Sequence, residues 1–144
     1  MIQGKVVAAD KYEDLITVWN SVFQDFDITY QFKDENIYIV LYEGVREDKP
    51  IGAAELKMID GECFIDRLAV LSEKRNNRNG EFLLRFALDK GFSKGYEKIY
   101  TSIQKEQKGI FSQVGFNPTK IDKINSNTIK CEISPDKFYK HCRN

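Results

Sequence analysis

The sequence is short of most of what a metal centre, a disulfide scaffold or a nucleic-acid binder requires. It has one histidine, His141, close to its end, which rules out a multi-histidine metal site and is a poor basis for a Ser-His-Asp triad. Its three cysteines, Cys63, Cys131 and Cys142, are odd in number and far apart, which argues against a disulfide framework and a zinc cluster alike. It has no net charge, since 22 Lys plus Arg balance 22 Asp plus Glu. A generally basic nucleic-acid binder is thereby disfavoured, and the tail cations Lys137, Lys140 and Arg143 are too few to change that. No apolar run approaches the ~20 residues that span a bilayer. The opening Met1-Ile2-Gln3-Gly4-Lys5 lacks the charged-then-apolar pattern of a leader. These absences predict a reduced, cytoplasmic protein with no metal and with neither nucleic acid nor membrane as a partner.

What is present is enough to build a core. The chain has 144 residues, 42% of them hydrophobic, with 10 Phe and 7 Tyr. That is one domain, residues 1–144, and it excludes intrinsic disorder. Val6 to Ala9 reads as a first strand, and Asp10 as the N-cap of a helix over Tyr12 to Phe23, where Leu15, Val18, Trp19, Val22 and Phe23 recur at helical spacing. Asp25 to Asn36 mixes acids with Phe26, Tyr30 and Phe32 and reads as a loop or short helix. Three strands follow, Ile37–Tyr42, Ile51–Ile59 and Glu62–Val70, the last two joined by an Asp60-Gly61 hairpin turn. Gly80 opens a second long helix, with Phe82, Leu83, Phe86 and Ala87 on one buried face and Gly95 as its stop. Strand Lys98–Ile103, helix Lys105–Val114, strand Thr128–Ile133 and a last turn begun by Ser134-Pro135-Asp136 complete the chain. The fold class is α/β (α+β): a mixed, mostly antiparallel sheet of six to seven strands with about four helices. Exposed strands towards the C-terminal end predict a homodimer.

The stretch Ile65 to Gly80 carries the most chemistry. A buried strand runs into a polar, locally basic loop and straight into a helix N-terminus, where unpaired N–H groups and the helix dipole favour an anion. Lys74, Arg75 and Arg78 add three cations against Glu73. The plainer alternative is an ordinary strand-to-helix connection whose charges face solvent.

Within that stretch, Leu68 to Leu84 resembles motif A of the GNAT superfamily of acyl-CoA-dependent N-acetyltransferases: Leu-Ala-Val, polar residues, then Arg-x-x-Gly-x-Gly opening a helix. Arg75 and Gly80 match the first and last fixed positions. Gln104 and the run Phe111-Ser112-Gln113-Val114-Gly115-Phe116 resemble motif B, and the strand order is that family's too. The resemblance covers Val6 to Phe116. It implies that acetyl-CoA is the acyl donor and that an amine is the acceptor, joined by direct transfer in a ternary complex. The cofactor contacts it implies are Leu68, Ala69, Val70, Arg75, Asn76, Asn77, Arg78, Asn79, Gly80, Glu81, Gln104 and Phe111. The pantetheine arm would pair with the strand edge at Leu68–Val70, where a backbone N–H would meet charge on the thioester oxygen.

Two positions depart from the pattern. Arg78 stands where the family prefers glycine; it can still present its N–H to a phosphate if its φ stays negative, and its side chain can pair with a CoA phosphate or else block the cradle. Phe111 stands where the family usually carries the tyrosine that protonates the leaving thiolate. A thiol pKa of about 8.5 puts a thiolate only about 2 kcal/mol uphill at pH 7, so a slower enzyme is expected rather than an inert one. Tyr100 and Cys63 are the substitute acids. Strand parity puts Glu62, Phe64, Asp66, Leu68 and Val70 on one face, which makes Glu62 and Asp66 the candidate bases. The acids of the 25–35 segment favour a cationic acceptor gripped by Phe26, Tyr30 and Phe32. The rival reading is a binding or regulatory module that holds acyl-CoA without turning it over.

Overall fold

The computed structural model describes the chain except residues 25–28, 47–48, 76, 105–107, 119–127 and 143–144; at 104, 108, 128, 141 and 142 it describes the backbone alone. Seven strands form one sheet in the order β1-β2-β3-β4-β5-β7-β6. They are β1 (Ile2–Val7), β2 (Ile37–Glu43), β3 (Lys49–Ile59), β4 (Glu62–Val70), β5 (Ile99–Gln104), β6 (Asn117–Pro118) and β7 (Thr128–Ile133). All neighbours are antiparallel except β4 and β5. Among the described residues four α-helices cover it: α1 (Tyr12–Phe23), α2 (Asn79–Ser93), α3 (Lys108–Val114) and α4 (Pro135–Cys142).

The sheet is buried on both faces, which is why Ile37 to Tyr42 of β2 is an unbroken apolar run rather than an alternating one. On one face Leu15, Val18 and Trp19 of α1 pack on Tyr38, Val40 and Tyr42. On the other Leu83, Leu84, Ala87 and Leu88 of α2 pack on Ile39, Leu41, Ile65 and Ile99. Gly91 lets α2 lie close to β5, because a Cβ there would sit 2.5 Å from Ile99 Cδ1.

Several boundaries differ from expectation. The first strand is Ile2–Val7, not Val6–Ala9, because β2 offers all six residues a partner from Glu43 to Tyr38. Asp10 lies in a 3-10 turn over Ala9–Lys11 and caps nothing; Lys11 precedes α1. Leu84 and Leu88, not Phe82, complete the buried face of α2, and Phe82 is exposed. The Asp60-Gly61 turn is as read, with φ of 52° and 80°, the left-handed pair that a tight hairpin needs.

Candidate active site

The site begins where two strands part. β4 and β5 pair only from Cys63–Ile65 to Ile99–Thr101, and the buried Thr101 donates its Oγ1–H to the Ile65 carbonyl at 3.2 Å. Beyond that point β4 continues to Val70 beside β3 alone, while β5 continues to Gln104 beside β7. A wedge opens between them.

Arg67 causes the divergence. Its φ is +51°, and the register jumps from Glu55 opposite Asp66 to Ala53 opposite Ala69, so Ala54 faces two residues of β4. This is a β-bulge, which bends a strand and resets its alternation. Cys63 and Ile65 face α2 before it, and Val70 does so after it. The expected single face for Glu62, Phe64, Asp66, Leu68 and Val70 is therefore broken between Asp66 and Leu68. A left-handed arginine is strained, and two contacts hold it. Trp19 donates its Nε1–H to the Arg67 carbonyl at 2.7 Å, and the Arg67 N–H donates to Asp66 Oδ1 at 2.9 Å.

A cleft of about 810 Å³ runs from the wedge along the start of α2, lined by Leu68, Ala69, Val70, Arg75, Gly80 and Phe111 among others. Asn79 is buried and ties the helix start to the loop, donating Nδ2–H to the Lys74 carbonyl at 2.8 Å. Arg78 has φ +63°, contrary to the negative φ considered above. That is the left-handed region glycine enters most readily, and Arg78 sits there as the residue before the first turn of α2. Its side chain is 83% exposed and pairs with Glu81 at 2.7 Å, at the rim of the cleft. Of the other two cations, Lys74 turns away to Glu43 at 2.6 Å and holds that carboxyl below its ordinary range, whereas Arg75 stays by the wedge with Nε donating to the Val70 carbonyl at 3.0 Å. Asn77 is exposed on the loop; Asn76 and the Gln104 side chain lie outside the described residues.

These residues fit a diphosphate. A Cβ at Gly80 would meet nothing within 4 Å and its φ is not left-handed, so no protein neighbour demands glycine there. The volume left free belongs to the cleft, beside helix-end N–H groups and Arg75 and Arg78. Phe111 is buried against Phe116, ring centroids 5.4 Å apart, and brings no hydroxyl to the cleft.

The acid–base candidates fall in different places. Glu62 is exposed at the hairpin end of β4, six residues or roughly 20 Å of strand from Leu68. Tyr100 lies on Phe64, centroids 5.4 Å apart, where β4 and β5 are still paired, with the Lys130 ammonium 5.2 Å from its ring. Neither is brought to the wedge. Asp66 is beside it, but its second oxygen is taken by Lys57 at 2.7 Å. Cys63 is buried in the apolar core, which pushes its thiol up to about 12.

The residue that the sequence reading passed over is Glu55. It lies opposite Asp66 in the register, is 5% exposed, and faces a second cavity of about 350 Å³ walled by Trp19, Tyr30, Phe32, Lys57 and Arg67. Burial raises its pKa above the ordinary 4.5, as does the Asp66 charge, while Lys57, 3.9 Å away, and Arg67 oppose the shift. The signal in the sequence is a carboxylate inside the run Ile51-Gly52-Ala53-Ala54-Glu55-Leu56, where a solvated acid is out of place. Arg67 walls this cavity and Leu68 the larger cleft, so the two spaces adjoin at the bulge.

Among the described residues no group of three or more His, Cys, Asp or Glu is placed to hold a metal ion, and no helix is long and apolar enough to cross a membrane. Residues 8–116 match the acetyltransferase (GNAT) family. Solved structures of similar fold include Escherichia coli ElaA, 17% identical with a TM-score of 0.76, covering 92% of this chain and 99% of that one. The ribosomal-protein-S18-alanine N-acetyltransferase of Escherichia coli is 10% identical with a TM-score of 0.73, covering 93% and 94%. The PaiA N-acetyltransferase of Thermoplasma acidophilum, solved in complex with coenzyme A, is 15% identical with a TM-score of 0.70, covering 93% and 99%. No curated protein matches the chain in sequence.

Proposed function

Because the chain belongs to the GNAT acetyltransferase family, an acyltransferase class whose fold binds acyl-CoA, we propose that it moves an acetyl group from acetyl-CoA to the primary amine of a small molecule by direct transfer in a ternary complex. The observation that carries this reading is the meeting of two cavities at one bulge, with a donor cleft beyond Leu68 and an acceptor pocket before Arg67.

Acetyl-CoA supplies an activated thioester. Leu68 to Val70 present the backbone to its pantetheine arm, and the start of α2 with Arg75 and Arg78 receives its phosphates. An amine with a pKa of about 10 is mostly protonated at pH 7 and must lose a proton before it can attack. Glu55 takes that proton, directly or through a water. Its burial among aromatic walls makes it a better base than a solvated glutamate, because a raised pKa brings it nearer the operating pH. Asp66, held by Lys57 and the Arg67 N–H, positions the bulge instead. With phenylalanine at 111, the thiolate takes its proton from solvent.

The test is release of free thiol from acetyl-CoA over an amine panel, alongside melting curves with and without coenzyme A. A melting shift that disappears in the double variant Arg75→Ala, Gly80→Trp supports the cleft. An unchanged affinity in that variant overturns it.

A further inference from the structure

The acceptor pocket already contains a cation. The Arg67 guanidinium lies over the Trp19 ring, 5.6 Å from its centroid, and over the Tyr30 ring at 4.8 Å. Those aromatic faces are the ones that would grip a substrate ammonium, and the protein's own arginine covers them. Two of the acids expected to attract a cationic acceptor, Asp34 and Glu35, are not among its walls. Asp34 and Glu35 are exposed and line a different cavity, beside Val7 and Tyr12, and residues 25–28 lie outside the described part of the chain.

Among the described residues, the charges that line the pocket are Lys33, Lys57 and Arg67 against Glu55. Lys57 is engaged by Asp66 at 2.7 Å and stands 3.9 Å from Glu55. Among the described residues no carboxylate comes within 4.0 Å of the Arg67 guanidinium, which is half-buried and held from below by the two rings. A planar, partly desolvated guanidinium with free edges is the best protein partner for a carboxylate, because two parallel N–H···O bonds form at once. Its backbone is one residue from Leu68, so an anion held there keeps a neighbouring amine between Glu55 and the donor cleft.

Resting on the acyl-transfer reading above, we infer that the acceptor is a small amine that also carries a carboxylate, as an amino acid does, and that Arg67 binds that carboxylate while Glu55 faces the amine. The pocket volume of about 350 Å³ suits a molecule of that size rather than a protein segment. The aromatic stack then has a definite role: it fixes the guanidinium so that little side-chain freedom is lost on binding.

The experiment compares matched acceptors that differ only in the carboxylate, such as alanine against ethylamine and phenylalanine against phenethylamine, by thiol release from acetyl-CoA. Expected is a kcat/KM about tenfold or more higher for the acid of each pair, since a hydrogen-bonded charge pair is worth at least that factor. In Arg67→Gln the ratio within each pair falls towards one, while the melting shift with coenzyme A reports that the variant is folded. Turnover with equal or better use of the plain amines overturns the inference and leaves acyl transfer standing. Where no acceptor turns over, titration of N-acetylalanine and N-acetylethylamine into the coenzyme A complex decides: tighter binding of the acid that is lost in Arg67→Gln supports it, and no difference overturns it. A protein that neither binds coenzyme A nor releases thiol overturns the acyl-transfer reading itself.

Discussion

Glu55 and Asp66 face each other across the β3–β4 ladder, yet only one of them is sealed from water. Glu55 is 5% exposed, whereas the Asp66 side chain is 45% exposed and bound to Lys57. Two carboxylates at one rung thus sit in opposite surroundings, one paired with a cation in partial solvent and the other desolvated, which favours its protonated form.

Glu55→Gln is expected to lower kcat/KM at neutral pH by about 10² or more, the usual worth of a general base. The wild-type kcat/KM should lose activity on acidification at a pH above the ordinary glutamate value of 4.5, because burial first, and Asp66 next, favour the protonated form. The same shift makes the folded state bind this proton more tightly than the unfolded chain. Its contribution to stability is therefore complete below the ordinary value and declines as pH rises through the raised one. Melting temperatures measured against pH should show that decline in the wild type and not in Glu55→Gln.

Trp19→Phe removes the donor to the Arg67 carbonyl and leaves space where a 1% exposed indole stood. A cost of about 2–3 kcal/mol is expected from the lost bond and the cavity together, read by denaturant unfolding. Activity should fall as well, since the bulge loses its tie to α1.

Gly91→Ala sets two effects against each other. Alanine favours a helix by about 1 kcal/mol, but its methyl would stand 2.5 Å from Ile99 Cδ1, in a core where overpacking costs about 1–3 kcal/mol. The clash is expected to win, giving a lower melting temperature.

Phe111→Tyr returns a hydroxyl to the cleft wall. A rise in kcat, at the lower end of the ~10²–10⁴ span of general acid catalysis or below it, is expected because a thiolate is already a fair leaving group. A chain that bound coenzyme A and turned over nothing in either form would instead be a binding module.

Much of this was legible in the residues. Helical spacing in Leu15, Val18 and Trp19 gives α1 the bounds it has, and Asp60-Gly61 marks its hairpin. Arg75 and Gly80 mark a cleft that the fold does build. What could not be read was set by tertiary contacts. Nothing local announces that Arg67 takes a left-handed φ; Trp19, forty-eight positions away, holds its carbonyl there. Once the bulge is missed, counting along β4 puts Asp66 and Leu68 on one side and gives Glu62 a role that its position at the hairpin end does not support. Glu55 escaped for the same reason, since its burial comes from α1 and from the strand across from it. Helical spacing alone does not say which way the apolar stripe is turned, so it places Phe82 in the core although the side chain is exposed.

The bulge also sets what kinds of change this protein can absorb. Replacing the side chain at 67 alters one wall of the smaller cavity, but the path of the strand can survive it. Deleting one of the two residues that face Ala54 would leave Ala69 opposite Ala53 and Val70 beneath α2, but it would remove the bulge and with it the bend that parts β4 from β5. Lineages carrying this fold should therefore vary freely in composition at that point while keeping its length constant.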